Sequence, residues 1–532
     1  MGALVALALA AALAGCAGKH RNARNQSAAE YCATEQAEFA KLVAQERDQT
    51  PRVPTEAEIA RWHRLESTHF ALSTDLDPPT AEHTLRELED YYAALTSIAF
   101  PVKPPALKIP VIGLASMEET RRYFRPCFNG RYLSDLLYQP LIVLGTGAVG
   151  IEDTLARHEL VHYVMRLLYG RSLPVWYAEG MASYFETLAY DPVNGQLMFG
   201  RATLSRVHLL RENGPLLPVE KLVNGGFDNA ATNNPGVYYA TCWLLTHALI
   251  HGATTVFERY DKELLAGTDG HDAWTRALGM NPVAGTDAWL TAYYQQRRYE
   301  GGRRTRWRPP AETFTQRPMT AADVLTTLAL LHTMAIGSQA VRSDWHRAHA
   351  QAAARWALER DPTQLDALQI GWDLGTPPSV EQVRPAMVGR EQNWAAWMVL
   401  ASALARERVH GRVVDPAGQD AERHDALMRA AALNPSEPKV LLARAGDALE
   451  FQHWEQASQL FQQGLPFAAD EPRFAHGYVS AMTHDARCGS VARFLTAHTK
   501  ADGPESVWLA AAHTLADCRI HGGPGGGSET RP

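Results

Sequence analysis

The chain has 532 residues, 46% hydrophobic and 20% charged, with a net charge of −7. At ~100–200 residues per domain this length predicts about three domains, and the apolar content is enough for packed cores rather than a disordered chain. The acidic balance provides no overall attraction for nucleic acid, so no nucleic-acid partner is expected. Six cysteines are present, Cys16, Cys32, Cys127, Cys242, Cys488 and Cys518, with no C-x-x-C pair, which argues against a cysteine-rich zinc site. In an oxidising compartment Cys488 and Cys518 are candidates to pair.

Residues 3–13 are an unbroken run of Ala, Leu and Val. The run is too short to cross a bilayer, which takes ~20 apolar residues, and fits the apolar stretch of a secretory signal. It ends in Leu13-Ala14-Gly15-Cys16, which resembles the lipobox of bacterial lipoproteins. The resemblance implies that residues 1–16 are a signal peptide. Cys16 is then the lipidated residue, and the mature chain is held to the membrane in the bacterial cell envelope. No Asp follows the cysteine, which points to the periplasmic side of the outer membrane. Residues 17–64 read as a tether and a helical lead-in.

From His69 the pattern changes. His69 to Thr74 reads as a strand, and Thr80 to Ile98 as a helix with Leu85, Leu88, Tyr92 and Leu95 on one side. Residues 107–114 form a second strand. Ser116 and Glu119 have the spacing of a capping box that opens a helix. Leu141-Ile142-Val143-Leu144 marks a third strand, and a long helix covers 155–168. A strand–helix–strand–strand order running into long helices predicts an α+β domain over 65–300, a small sheet plus a helical lobe. Residues 301–318, with Gly301-Gly302, scattered arginines and three prolines, read as a linker. Residues 319–520 read as an α-helical repeat domain, punctuated by Asp361-Pro362, Asn434-Pro435 and Glu471-Pro472 at spacings compatible with a repeat of ~36 residues. The Gly-rich residues 521–532 are expected to be disordered.

The chemistry concentrates at His158-Glu159-Leu160-Val161-His162. Side chains four apart on a helix share a face, with ~5–6 Å between Cβ atoms, so both imidazoles can meet one tetrahedral Zn²⁺ at ~2.0–2.1 Å. Glu159 lies one step round the helix, where it can take a proton from a metal-bound water. A second motif follows, from Trp176 through Glu179 and Gly180 to Glu186. Together they resemble the gluzincins, the zinc peptidases that include thermolysin, whose next helix carries W-x-x-E-G-x-A-x-x-x-E. The resemblance covers about residues 65–300. It implies that Glu179 is the third metal ligand, that Glu186 supports the ligands from behind, and that Tyr239 donates to the oxyanion of the intermediate. The adjacent Tyr238 is the alternative donor. The plainer readings are a core tyrosine and, for Glu186, a solvated helix charge. Ala115-Ser116-Met117-Glu118 lacks the Gly and Asn of the aminopeptidase G-x-M-E-N motif, so exopeptidase activity is not inferred.

Residues 441–464 resemble a tetratricopeptide repeat, with Ala445, Ala448, Trp454, Ala457 and Phe461 at its packing positions. That resemblance implies a protein partner. The expected function is therefore zinc-dependent hydrolysis of a peptide or protein substrate. The rival is a non-catalytic envelope lipoprotein with a structural zinc and scaffolding repeats. Glu159 argues against the rival, because a purely structural site has no use for a carboxylate there.

Overall fold

The computed structural model describes residues 28–105, 107–124, 130–133, 141–145, 153–171, 173–212, 215–224, 235–278, 285–409, 415–467 and 473–484. Cys16, Cys127, the Cys488 and Cys518 candidates, the end of the expected repeats and the 521–532 tail lie outside them. Among the described residues the chain is mostly helical with a small mixed sheet and a three-stranded antiparallel one, compatible with an α+β region followed by a helical one. It divides into two compact units, one of Met1–Ile98, Lys103–Tyr163 and Arg308–Pro378, the other of Ala99–Val102, Val164–Trp307 and Ser379–Pro532.

The first unit begins with α1 (Ala28–Glu46), α2 (Glu56–Ala60), β1 (His63–Glu66), β2 (Phe70–Thr74) and α3 (Pro78–Ile98). It continues with β3 (Ile109–Gly113), α4 (Met117–Tyr123), β4 (Gly130–Leu133), β5 (Leu141–Leu144) and the start of α5 (Asp153–Tyr169), which runs through the division. The second unit takes α6 (Val175–Phe185), β6 (Ala189–Asp191), β7 (Gln196–Phe199), α7 (Leu204–Glu212), α8 (Val219–Asn224) and α9 (Pro235–Gly252). It then adds α10 (Thr254–Leu265), α11 (Gly270–Leu278), α12 (Thr286–Gln295) and β8 (Arg303–Arg306). The chain returns to the first unit for β9 (Thr315–Pro318), α13 (Ala321–Ser338), α14 (Ser343–Arg360) and α15 (Leu365–Asp373). It closes in the second with α16 (Val380–Met387), α17 (Trp394–Val409), α18 (Pro416–Leu433), α19 (Pro438–Glu450), α20 (Trp454–Gly464) and α21 (Arg473–His484).

The larger sheet has the order β4-β5-β3-β2-β1-β9, with β2, β3 and β5 parallel and the outer strands antiparallel. Parallel strands buried on both faces read as continuous apolar runs, which is why Leu141 to Leu144 carries no alternation. One face, with Phe70, packs on α3, where Tyr92 meets the Phe70 ring edge-on at 5.9 Å. Ile112, Leu141 and Val143 instead join Val324, Leu331 and Met334 of α13 in one core cluster. Ser116 caps α4 with its Oγ accepting the Glu119 N–H at 3.1 Å, while the Glu119 carboxylate accepts the Ser116 hydroxyl, so the serine half of the expected box is present.

Two features differ from the sequence expectation. The 301–318 segment is not a bare linker: β8 pairs with β7, and β9 pairs with β1. Its strands are short and almost wholly exposed, so they lack the apolar alternation that marks a half-buried strand. The helical region also does not separate at residue 319. The apolar side of α13 shares its core with the sheet, so residues 319–378 belong to the first unit and 319–520 is not one independent domain. Later, α19 and α20 form the expected hairpin, with Ala445, Ala448, Ala457 and Phe461 buried in one cluster. Trp454 is half-buried and stacks on His484 at 4.5 Å.

Between α13 and α14 sit three imidazoles. His332 and His346 are buried and face each other through Nδ1 atoms 2.9 Å apart, His346 Nε2 meets Gln339 Oε1 at 3.1 Å, and His349 stacks on Trp345. Burial, aided by the neighbouring imidazoles, Arg342 and Arg122, holds His332 well below the ordinary range, and burial with Arg342 pushes His346 down to about 3. A histidine held neutral in the fold but titrating near ~6.5 when unfolded costs stability as pH falls below ~6.5, up to ~1.4 kcal/mol per pH unit. Glu119 works in the opposite sense. Burial and Asp75 push it up to about 7, so it favours the fold at low pH. The cluster is therefore best isolated by a variant. Wild type should lose roughly 2 kcal/mol more stability between pH 7 and pH 5 than His346→Gln does, measured by urea unfolding at each pH. Equal losses would show that the imidazoles do not titrate against the fold.

Candidate metal centre

α5 follows directly from its sequence. Leu160, Val161 and Val164 are buried, while His158 and His162 lie on a half-buried face. Their rings are 5.0 Å apart between centroids and inclined at 73°. The ligand atoms of His158, His162 and Glu179 all lie within 4.8 Å of one another. A tetrahedral ion with bonds of ~2.0–2.1 Å holds its ligands ~3.4 Å apart, so two imidazole nitrogens and one carboxylate oxygen need only small rotamer adjustments to close on Zn²⁺. Two imidazole nitrogens and one carboxylate oxygen are a donor set that could hold a metal ion of the zinc type.

Glu179 is delivered by α6, a helix whose Trp176, Tyr177 and residues 180–185 are all buried. Trp176 packs edge-on to Trp274 at 5.5 Å and beside Tyr260 at 5.4 Å. Gly180 explains why the motif needs glycine after the glutamate. A Cβ there would strike Thr246 Oγ1 and come within 2.8 Å of the Cys242 carbonyl oxygen, so only glycine lets α6 lie this close to α9. The approach surrounds Glu179 with α9 side chains. Tyr238 is fully buried, and burial first, then the Cys242 thiol and the Glu179 charge, drive its hydroxyl well above the usual range. Burial and the same carboxylate push the Cys242 thiol up, so it is an inert packing group rather than a nucleophile. Tyr239, its neighbour, is only half-buried.

Glu159 is buried at 9% exposure, and its Oε2 accepts the backbone N–H of Tyr132 at 2.7 Å. Tyr132 sits opposite Ile142 in the β4–β5 pair, and β4 is the edge of its sheet. An N–H that reaches Glu159 is thus one that points out of the ladder. Glu186, two helical turns beyond Glu179, is not a solvated charge. It is buried and takes a bidentate ion pair from Arg206, with Nη2 at 2.6 Å from both oxygens. Arg206 also tempers the Cys242 thiol.

One functional residue escaped sequence reasoning. Asp261 on α10 accepts the hydroxyl of Tyr177, two residues before Glu179, at 2.6 Å, and also the hydroxyl of Tyr169, which ends α5. The two phenols are themselves 3.0 Å apart. One carboxylate thus ties together the helix carrying both histidines and the helix carrying the glutamate. The surrounding Phe257 to Leu265 contains no recognisable motif, and only the fold brings Asp261 to the two tyrosines.

Asp261→Leu should therefore leave the helical circular dichroism unchanged and weaken zinc binding ~10–100-fold in a chelator competition, the usual cost of losing a group that orients metal ligands. Unaltered zinc affinity would show that the clamp does not set the ligand spacing. No family model matches the chain, and no curated protein or solved structure matches it.

Proposed function

We propose that the chain is a zinc-dependent peptidase that hydrolyses peptide bonds with a metal-activated water. The observation that carries this reading is a three-donor cluster with a buried, non-ligating carboxylate on the same helix turn. A structural zinc site closes its fourth position with protein and needs no base.

A bound Zn²⁺ would supply an acidified water and polarise the substrate carbonyl. His158, His162 and Glu179 hold it. Glu159 is fixed through Oε2 by the Tyr132 N–H, which directs Oε1 to receive a proton and return it to the leaving amine. A peptide is favoured over other hydrolysable groups by β4, an edge strand whose outward-facing Tyr132 N–H lies at the base. An extended chain paired with that edge would carry its carbonyl past Glu159. Tyr238 is committed to burial beside Cys242, so the half-exposed Tyr239 is assigned the oxyanion role. Anchoring in the envelope through an acylated Cys16 completes the proposal, with the α19–α20 hairpin and its neighbours available to a protein partner. The anchor is tested by fractionation, in which Cys16→Ser should move the protein to the soluble envelope fraction; equal distribution of both forms would refute it.

The substitutions separate metal binding from catalysis. Glu159→Gln should keep stoichiometric zinc and lower turnover of a peptide library by at least ~10²–10⁴-fold, the share of a general base. Glu179→Gln, His158→Ala and His162→Ala should instead lose zinc affinity and some folding stability. Tyr239→Phe should keep zinc and cost ~10²–10³-fold in kcat, as for one lost oxyanion donor. Zinc lost in Glu159→Gln and kept in Glu179→Gln would reverse the ligand assignment. Wild-type protein that binds zinc and cleaves nothing in the library would favour the scaffolding lipoprotein.

A further inference from the structure

The second unit carries a cationic strand that the metal chemistry does not use. Its small sheet has the order β6-β7-β8, so β8 is an edge. β8 reads Arg303-Arg304-Thr305-Arg306, in a chain whose net charge is −7. Arg304 and Arg306 are exposed, and among the described residues neither has a carboxylate within ion-pair distance. Some exposed arginines elsewhere are matched, as in Arg52–Glu58 and Arg384–Glu422, but what sets Arg304 and Arg306 apart is their place on one face of an edge strand.

The register makes the arrangement specific. Arg304 faces Met198 and Arg306 faces Gln196 on β7, so the sheet places neutral side chains where a cross-strand counter-charge would sit. Asp191 on β6, across β7 on the same face, feels the Arg304 charge at longer range, but its carboxylate is bonded by Asn194 and the Val193 N–H. Trp307 donates its N–H to Gly195 O, back toward β7. Backbone groups alternate along a strand, so those of Arg304 and Arg306 point to the open edge. The two guanidiniums stand two residues apart, ~6.6–6.8 Å along the strand, on the same face. One charge is enough to discourage edge-to-edge aggregation. A pair of guanidiniums with no ion-pair partner among the described residues, in line with backbone donors and acceptors that face the open edge, exceeds that need.

We propose that β8 is a docking edge for an extended acidic peptide, which adds as a further strand and sets carboxylates at alternate positions against Arg304 and Arg306. The main-chain ladder would provide affinity, and the two bidentate guanidinium–carboxylate pairs would provide specificity. A planar guanidinium suits this pairing better than a lysine ammonium. The occupant is a segment of a partner or substrate protein, and its recognition does not depend on the metal.

The test is fluorescence anisotropy on zinc-free full-length protein. The probes are a labelled peptide with glutamates alternating with threonine or valine, an isomer with the glutamates in one block, and a lysine version of the alternating peptide. The alternating acidic peptide should bind at least ~10-fold more tightly than either control. Arg304→Ala/Arg306→Ala, both at exposed positions, should reduce that affinity at least ~10-fold with the circular dichroism unchanged. Arg304→Lys/Arg306→Lys should recover part of it, because charge alone gives only part of a bidentate pair. Equal binding of the blocked isomer, or undiminished binding by the alanine variant, would overturn the proposal. So would failure of the acidic peptide to bind while vesicles of anionic phospholipid do, since that outcome would make the strand a membrane contact.

Discussion

The site depends on one constraint: donors on two different helices must be held within a few ångströms of each other before any ion arrives. His158 and His162 come as a pair from the pitch of α5, but nothing in α5 fixes where Glu179 stands. The close approach of α6 to α9 at Gly180 and the shared bonding of Tyr169 and Tyr177 to Asp261 do that. The Gly180 contact is buried and filled, and the Asp261 contact is half-buried against the buried Tyr177; a packed interior gives little under strain. A site preorganised in this way spends less of the metal's binding energy on ordering the chain.

The electrostatic setting is consistent with this. The side chains around Glu179 hold their protons: Tyr238 and Cys242 are both driven toward their neutral forms by burial. The buried Glu186 carboxylate is balanced by the half-buried Arg206, since a lone buried charge would be costly. Glu179 thus stands with the two imidazoles of α5 as a group that could hold a cation. Glu159 stands apart from this set, held by a backbone donor of a sheet edge rather than by a charged partner. The two carboxylates therefore sit in different settings. The difference arises from which element supports each.

Much of this was legible in the sequence because it is local. The i, i+4 histidines, the glutamate beside them, the capping serine of α4 and the small-residue pattern of the α19–α20 hairpin all depend on helix pitch and short spacing. What the sequence concealed is long-range. The 301–318 segment looked like a linker because its strands are exposed, and exposed edge strands carry no apolar alternation. The hairpin of β6 and β7 had a faint signal in Asn194-Gly195, where Gly195 takes φ +61. β4 left even less, and with it the Tyr132 contact to Glu159 was invisible. Residues 319–378 read as the start of a repeat array, since an apolar helix face looks the same whether it meets another helix or a sheet. Asp261 could not be found at all, because a carboxylate that accepts two phenols across more than eighty residues has no sequence pattern.

The most direct test of the central claim is X-ray absorption spectroscopy on the zinc-loaded protein. The account predicts a first shell of four nitrogen or oxygen scatterers at ~2.0–2.1 Å, with outer-shell scattering from two imidazoles and no sulfur. Sulfur at ~2.3 Å, or outer-shell scattering from three or more imidazoles, would mean that His158, His162 and Glu179 are not the set that holds the metal.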